Sequence, residues 1–395
     1  MESAAKTQKA PLTRFGEFEF LKALAILGLP LVHVMEEALE AGAATKGLID
    51  LTTPIVGLCA FGPSVFMICM GFGIGGGRTS YKSIRDSGIQ FLLIGVLLNI
   101  FRWLIPGLIQ EAVIHTPIID DINYCLQSDI YYFVGLFFIF YSTMKKYKIP
   151  TTTVVMISLA TLTANNALTP FIHRHVDNDV MASLLGNIIY VDETSCFPLM
   201  SWMIFPMVGV IYGEILKKST EEYRADFMRK MISFSSLGFM AFTFFLLTYD
   251  IDIVRVLVSP ANEYITDLPN VIMLVLLANI LIGITYFLCR AIGNSRFMGF
   301  MLRISAFIIP FYLLQWVIIS WIFYGYQIFR IPPHSFGIME FIISSVLVMA
   351  VCIWFSLKYG MKIMKLILKI TTFKKKRKKK SAGKPVQRKE KANEE

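Results

Sequence analysis

The chain has 395 residues, of which 55% are hydrophobic and 17% charged. Soluble domains carry about 25% charged residues, and the repeated apolar runs of about 20 residues here exclude a soluble globular protein in favour of a polytopic membrane one. The net charge of +10 is concentrated at one end: from Lys369 to Glu395 twelve Lys or Arg stand against three Glu, leaving the rest nearly neutral. A basic tail beyond a membrane helix reads as cytosolic and speaks against a nucleic-acid partner.

Ten spans follow in order, at 18–35, 53–75, 87–109, 125–144, 151–172, 197–216, 231–249, 269–289, 304–325 and 336–357. The segments that this alternation places inside carry 33 of the 38 Lys and Arg residues. The other five are Lys46, Arg102, Arg174, Arg255 and Arg330. The expected fold is therefore an all-α bundle of about ten transmembrane helices with both termini cytosolic. The outer loops 110–124, 173–196 and 250–268 are long and acidic, and within the second of them GNIIYV either dips against the membrane or caps the bundle. Residues 1–17 form a cytosolic N-terminal segment, 18–358 the membrane domain, 359–373 an interfacial amphipathic helix and 374–395 a disordered polybasic tail. The first apolar run is followed by acids and has no small-residue cleavage site, so it reads as a span and not as a signal peptide.

Six cysteines are scattered without CxxC or His/Cys spacing, so no metal is expected. Cys125 and Cys196 share the outer side, where the topology permits a disulfide. Gly71, Gly73, Gly75, Gly76 and Gly77 follow no strand, so they are no dinucleotide fingerprint and read as close helix packing with a flexible exit.

Four groups carry candidate chemistry. His33 ends the first apolar helix, with Glu36 and Glu37 three and four residues on and hence on its helical face. A carboxylate there fixes the imidazole tautomer and raises its basicity, as a general base requires; the competing reading is a boundary histidine with solvated acids. Arg102 is a lone cation within the third span, near Asn99 and Trp103. It neutralises an acid such as Glu36 or Glu37, stabilises an oxyanion or snorkels to headgroups. Arg78, Lys82 and Arg85 stand at i, i+4 and i+7 in RTSYKSIR, one cationic stripe at the cytosolic mouth. Such a stripe suits phosphates, and it equally suits plain positive-inside topology. His115, His173, Arg174 and His175 share outer loops with Asp120, Asp121, Asp177, Asp179, Asp192 and Glu193 in no ligand-specific pattern, so a solvated loop is the better reading.

Several stretches resemble the transmembrane acyltransferase superfamily, which includes heparan-alpha-glucosaminide N-acetyltransferase and the acyltransferase-3 O-acyltransferases. FEFLKALAILGLPLVHV is similar to the family's first helix, GPSVFMICMGFGI to its second and DINYCLQSDIYYFVGLFFIF to its fourth. SCFPLMSWMIFPMVGVIYGEILKK resembles the FPLxPW element with its glycines, and RISAFIIPFYLLQW the late helix. The resemblance covers about residues 14 to 360 in order. It implies transfer of an acyl group, acetyl by default, from cytosolic acyl-CoA to an extracytoplasmic glycan or similar polar acceptor. His33 would be the base, Glu37 would orient it and Arg102 would stabilise developing charge. Arg78, Lys82 and Arg85 would take the cofactor phosphates. Two departures stand out: 38–53 contains no histidine, and Gln315 occupies the place of the family's late histidine.

Two other classes fit the residues. One is a carrier of a small polar or lipid-linked substrate, with His33 and Arg102 as midway polar sites. The other is a non-catalytic membrane subunit that binds partners through its tail. Membrane lipids are the expected surroundings, a homodimer is left open, and a bacterial-type plasma membrane is the default location.

Overall fold

The computed structural model describes residues 15–371 except 60, 78, 116–124, 128, 177, 192–194, 252, 254–255 and 257–266, and it leaves out the side chains of 53–59, 173 and 371. The N-terminal segment before 15, Arg78, Asp120, Asp121, Asp177, Asp192, Glu193, Arg255, the His173 side chain and the tail 374–395 therefore lie outside the described residues. The described chain is helical throughout: α1 Gly16–Glu40, α2 Lys46–Cys59, α3 Gly62–Ile74, α4 Tyr81–Asn99, a π-turn Ile100–Leu104, α5 Ile105–Ile114, α6 Ile130–Lys146, α7 Thr151–His175, α8 Asp179–Gly186, α9 Leu199–Trp202, α10 Ile204–Leu216, α11 Glu221–Thr248, α12 Leu268–Ile292, α13 Arg296–Ala306, α14 Ile308–Ile328 and α15 Ile338–Thr371. Among the described residues the only β-type pairing is one isolated bridge between Ala44 and Phe336.

Among the described residues, eight helices are long and apolar enough to cross a membrane, which makes this an all-α polytopic membrane protein. The other two expected spans are represented by α3 and α6, of 13 and 17 residues. Local chemistry sets many of the starts. Ser80, Asp129, Thr220, Asp267 and Ser295 each precede a helix and accept a backbone N–H from its first turn. Each such cap stabilises its helix by about 1 kcal/mol.

The structure redraws several boundaries. The span expected at 53–75 is two helices that meet just before Pro63, whose missing N–H suits the first turn it occupies. The span expected at 304–325 divides at Phe307, leaving α13 as a separate amphipathic helix. The basic stretch 81–85 is not a loop but the first turns of α4. Residues 359–371 prolong the last span without a break. At 34 residues that helix is about 50 Å long, well beyond the hydrocarbon thickness of about 30 Å.

The first apolar run lies at the centre. Helix α1 packs against α3, α12, α13, α14 and α15, and its Phe18, Ala23, Ile26, Val34, Met35 and Ala38 are buried in the main core. Helices α3 and α10 make the tightest pair. A Cβ at Gly71, Gly75 or Gly76 would run into the backbone of Pro206, Val210 or Gly213, and one at Gly209 into that of Ile68. Small residues thus let two backbones touch, as packing in lipid favours. Gly73 and Gly77 meet no such crowding. Within GNIIYV, Ile189 and Val191 are buried with Ala182 in a small cluster against Ile172 and Met200.

Candidate active site

The site grows from one face of α14. Tyr312, Gln315, Trp316 and Ser320 stand at i, i+3, i+4 and i+8, so a helix stacks them on one side, and all four are buried. Their partners come from α1 and from the π-turn. His33 is 7% exposed, Glu37 4% and Gln315 0%.

The His33 Nδ1 lies 3.1 Å from Gln315 Nε2. As placed, the amide donates to Nδ1 and the imidazole proton sits on Nε2. Gln315 Oε1 is buried without a hydrogen-bond partner among the described residues. Turning the amide over presents Oε1 to Nδ1–H instead and leaves Nε2 as the free base. The two ends of an amide are assigned from their hydrogen bonds, so Gln315 can serve either tautomer.

The imidazole also stacks on Trp316, with centroids 3.8 Å apart and planes at 19°. The Arg102 guanidinium carbon lies 3.4 Å from the Trp316 ring centroid. Two groups this close to one ring cannot share a face, so the indole stands between imidazole and guanidinium. Arg102 donates to Glu37 Oε1 at 2.8 Å, and Ser320 Oγ donates to the same oxygen at 3.3 Å. Its guanidinium also lies 4.3 Å from the Trp103 ring.

Pro106 accounts for the shape of the turn that carries Arg102. In the wide turn the Ile105 N–H reaches back to Ile100 O, and the next residue is Pro106, which has no N–H to offer Phe101 O. The indole N–H of Trp321 fills that place at 2.9 Å, tying α14 to the π-turn.

A second layer lies beside the imidazole. The Tyr312 ring sits edge-on to His33 with centroids 6.0 Å apart, and its hydroxyl donates to Asp129 Oδ2 at 2.9 Å. Asp129 Oδ1 also accepts the Tyr131 N–H at 2.9 Å, so one carboxylate caps α6 and anchors Tyr312.

The structure thus brings His33, Glu37 and Arg102 together, with a changed division of labour. Glu37 meets Arg102 and Ser320, and the group on the imidazole is Gln315. The cationic stripe is less tightly gathered. Lys82 and Arg85 are exposed on the first turns of α4, and Arg85 pairs with its neighbour Asp86 at 2.7 Å. Cys125 and Cys196 are not joined in a disulfide; the first lies 3.7 Å from Asn99 O and the second 3.8 Å from Gln127 Nε2. His175 bonds its own helix at Phe171 O, and no cluster among the described residues could hold a metal ion.

Sequence reasoning missed Tyr312, Trp316, Ser320 and Asp129. Polar and aromatic residues recurring at helical spacing inside an apolar run were the available signal for the first three. Compared with protein-family models, with curated proteins and with solved structures, the chain matches none.

Proposed function

We propose that the protein is a membrane-bound acyltransferase that moves an acyl group, acetyl by default, from cytosolic acyl-CoA to an extracytoplasmic glycan or similar polar acceptor. The reading takes ten spans with both termini cytosolic, in a bacterial-type plasma membrane. One observation carries it: a histidine buried at membrane depth, held through Nδ1 by an amide and through its ring face by an indole. An ionisable group in such a place marks function by default.

In this mechanism Gln315 presents its carbonyl oxygen to Nδ1–H, so Nε2 is the base. The acceptor hydroxyl passes its proton to Nε2 as its oxygen attacks the thioester carbon. The tetrahedral oxyanion then collapses with loss of the CoA thiolate, which takes the proton from the imidazolium. Arg102 and Glu37 act as positioning residues. Their pair joins one guanidinium nitrogen to one carboxylate oxygen, leaves Arg102 Nε without a hydrogen-bond partner among the described residues, and fixes the indole against which His33 stacks. Arg78, Lys82 and Arg85 remain the cationic residues through which the donor would approach. The His33→Ala variant tests the reading. Acetyl transfer to outer-surface glycans should vanish in cells expressing it at wild-type level, and transfer left intact sinks the mechanism.

The broken helices favour a second reading. The α2–α3 and α13–α14 breaks are the discontinuous elements on which carriers build midway sites. Uptake of a labelled substrate without any acyl-CoA requirement would favour the carrier.

A further inference from the structure

A cleft of about 480 Å³ opens at the lysine-rich end of the bundle, between the exit of α3, the turn joining α6 to α7 and the end of α10. It lies at the far end of α6 from Asp129, about 24 Å away at 1.5 Å per residue, so it is separate from the His33 cluster. Its size falls within the range of small-ligand sites, about 300–1,000 Å³.

Lys145, Lys148 and Lys218 line the cleft, and Glu214 is the one acid among the lining residues. Glu214 is already engaged, accepting from Thr151 Oγ1 at 2.6 Å. The glycine exit contributes bare backbone: Gly76 has φ +59 and lies so close to Gly213 that no side chain fits. Lys217 braces this exit by donating to Gly73 O at 2.8 Å and Gly75 O at 2.7 Å. Lys148 is held in the left-handed region at φ 55, which places a charged side chain where glycine is the usual occupant. Helix α7 starts at the cleft on Pro150 with no side-chain cap, so its first-turn N–H groups add to the positive field.

The ends of α3, α6 and α10 present carbonyl groups on the same side, and Lys217 takes up two of those of the α3 exit. Burial and the nearby Lys145 charge lower the pKa of Lys217, in keeping with cations that lack a counter-charge. Ordinary inside-positive topology scatters lysines over an open surface. Here three of them line one concavity together with Gly76, Gly77 and the first residues of α7.

We infer that this cleft binds the phosphate groups of an anionic ligand. Compact ammonium groups and backbone N–H groups are the usual partners of phosphate oxygens. The phosphate can belong to a soluble phosphorylated cofactor or to the headgroup of an anionic lipid. The site rests on these residues and not on acyl-transfer chemistry.

The test uses the full chain in nanodiscs. In one arm the nanodiscs hold only phosphatidylcholine and pyrophosphate is titrated calorimetrically. In the other, phosphatidic acid retained by the protein is counted by native mass spectrometry. Binding is expected in at least one arm, about ten-fold weaker in Lys148→Gln and again in Lys218→Gln, one charge-assisted hydrogen bond being lost each time. Lys358→Gln, a cation outside the cleft, should leave it unchanged. Pyrophosphate binding alone assigns a soluble phosphate, and phosphatidic acid retention alone assigns a lipid headgroup. No binding in either arm, or equal binding by the cleft variants and Lys358→Gln, overturns the proposal. His33→Ala should bind as well as the wild type, so this site and the acyltransferase reading fail separately.

Discussion

Arg102 and Glu37 form the ion pair on which the arrangement at His33 depends, and replacing Arg102 by Met measures how much. The two side chains are 12% and 6% exposed and lie 2.8 Å apart. Removing one member of a buried pair strands the other and costs about 3–5 kcal/mol. Loss of the contacts with Trp316 and Trp103 adds about 1–2 kcal/mol, because cation–π attraction strengthens away from water. Arg102→Met should therefore destabilise the protein by about 4–7 kcal/mol. Glu37→Gln leaves a buried guanidinium with an amide for company and should cost nearly as much. The double variant removes both charges, so it should cost less than the sum of the singles by on the order of 2 kcal/mol. SDS titration in mixed micelles, followed by far-ultraviolet circular dichroism, provides all four free energies. Additive costs, or single-variant costs below about 1 kcal/mol, would mean that water screens the pair, and the account of Arg102 as an internal brace would be wrong.

Other substitutions separate close packing from open space. Gly209→Val should abolish folding because its side chain meets the Ile68 carbonyl, whereas Gly73→Ala, with nothing near, should be neutral or stabilise by about 0.5–1 kcal/mol; yield of monodisperse protein reads both. Gln315→Leu removes the group on Nδ1, so transfer activity should fall about 10- to 100-fold while Gln315→Glu retains more of it, as an initial-rate assay would show. Mass spectrometry after alkylation in denaturant without reductant should find Cys125 and Cys196 both modified, since neither is in a disulfide. Lys217 provides a pH test. Its pKa is lowered from 10.5 in the folded state, so there the folded protein binds fewer protons than the unfolded one. Stability should then rise with pH across the window just below 10.5, and Lys217→Gln should flatten that rise in the same SDS titration.

Much of this architecture was legible because lipid imposes simple rules. Apolar runs of spanning length and local caps such as Ser80 and Asp267 announce helices with no tertiary information. Glycines at the α3 exit announced close packing, and the structure supplies the partner, α10. The breaks at Phe61 and Phe307 were hidden because apolar composition continues across them. At the site, helical spacing placed Glu37 on the His33 face, yet spacing within one helix says nothing about which neighbour approaches. Arg102 arrives from 65 residues away and takes Glu37, and Gln315 from 282 residues away takes the imidazole. Trp316 was read as part of an apolar helix because an indole scores as apolar, and only three dimensions reveal that it stands between an imidazole and a guanidinium.

The wide turn at Ile100–Leu104 has a consequence for the phase of the long helix around it. Residues Tyr81–Ile114 run as one 34-residue rod. In a regular helix each residue advances the azimuth by about 100°, so one extra residue in a turn rotates everything beyond it by that amount. The rod thereby addresses α14 twice, with Arg102 over Trp316 inside the wide turn and Gln110 bonded to Gln327 at 2.8 Å after it. Deleting a single residue between Ile100 and Leu104 would restore regular winding and force a choice between those two docks. The turn is thus a phase setter, and its length is as much a part of the arrangement around His33 as the side chains it carries.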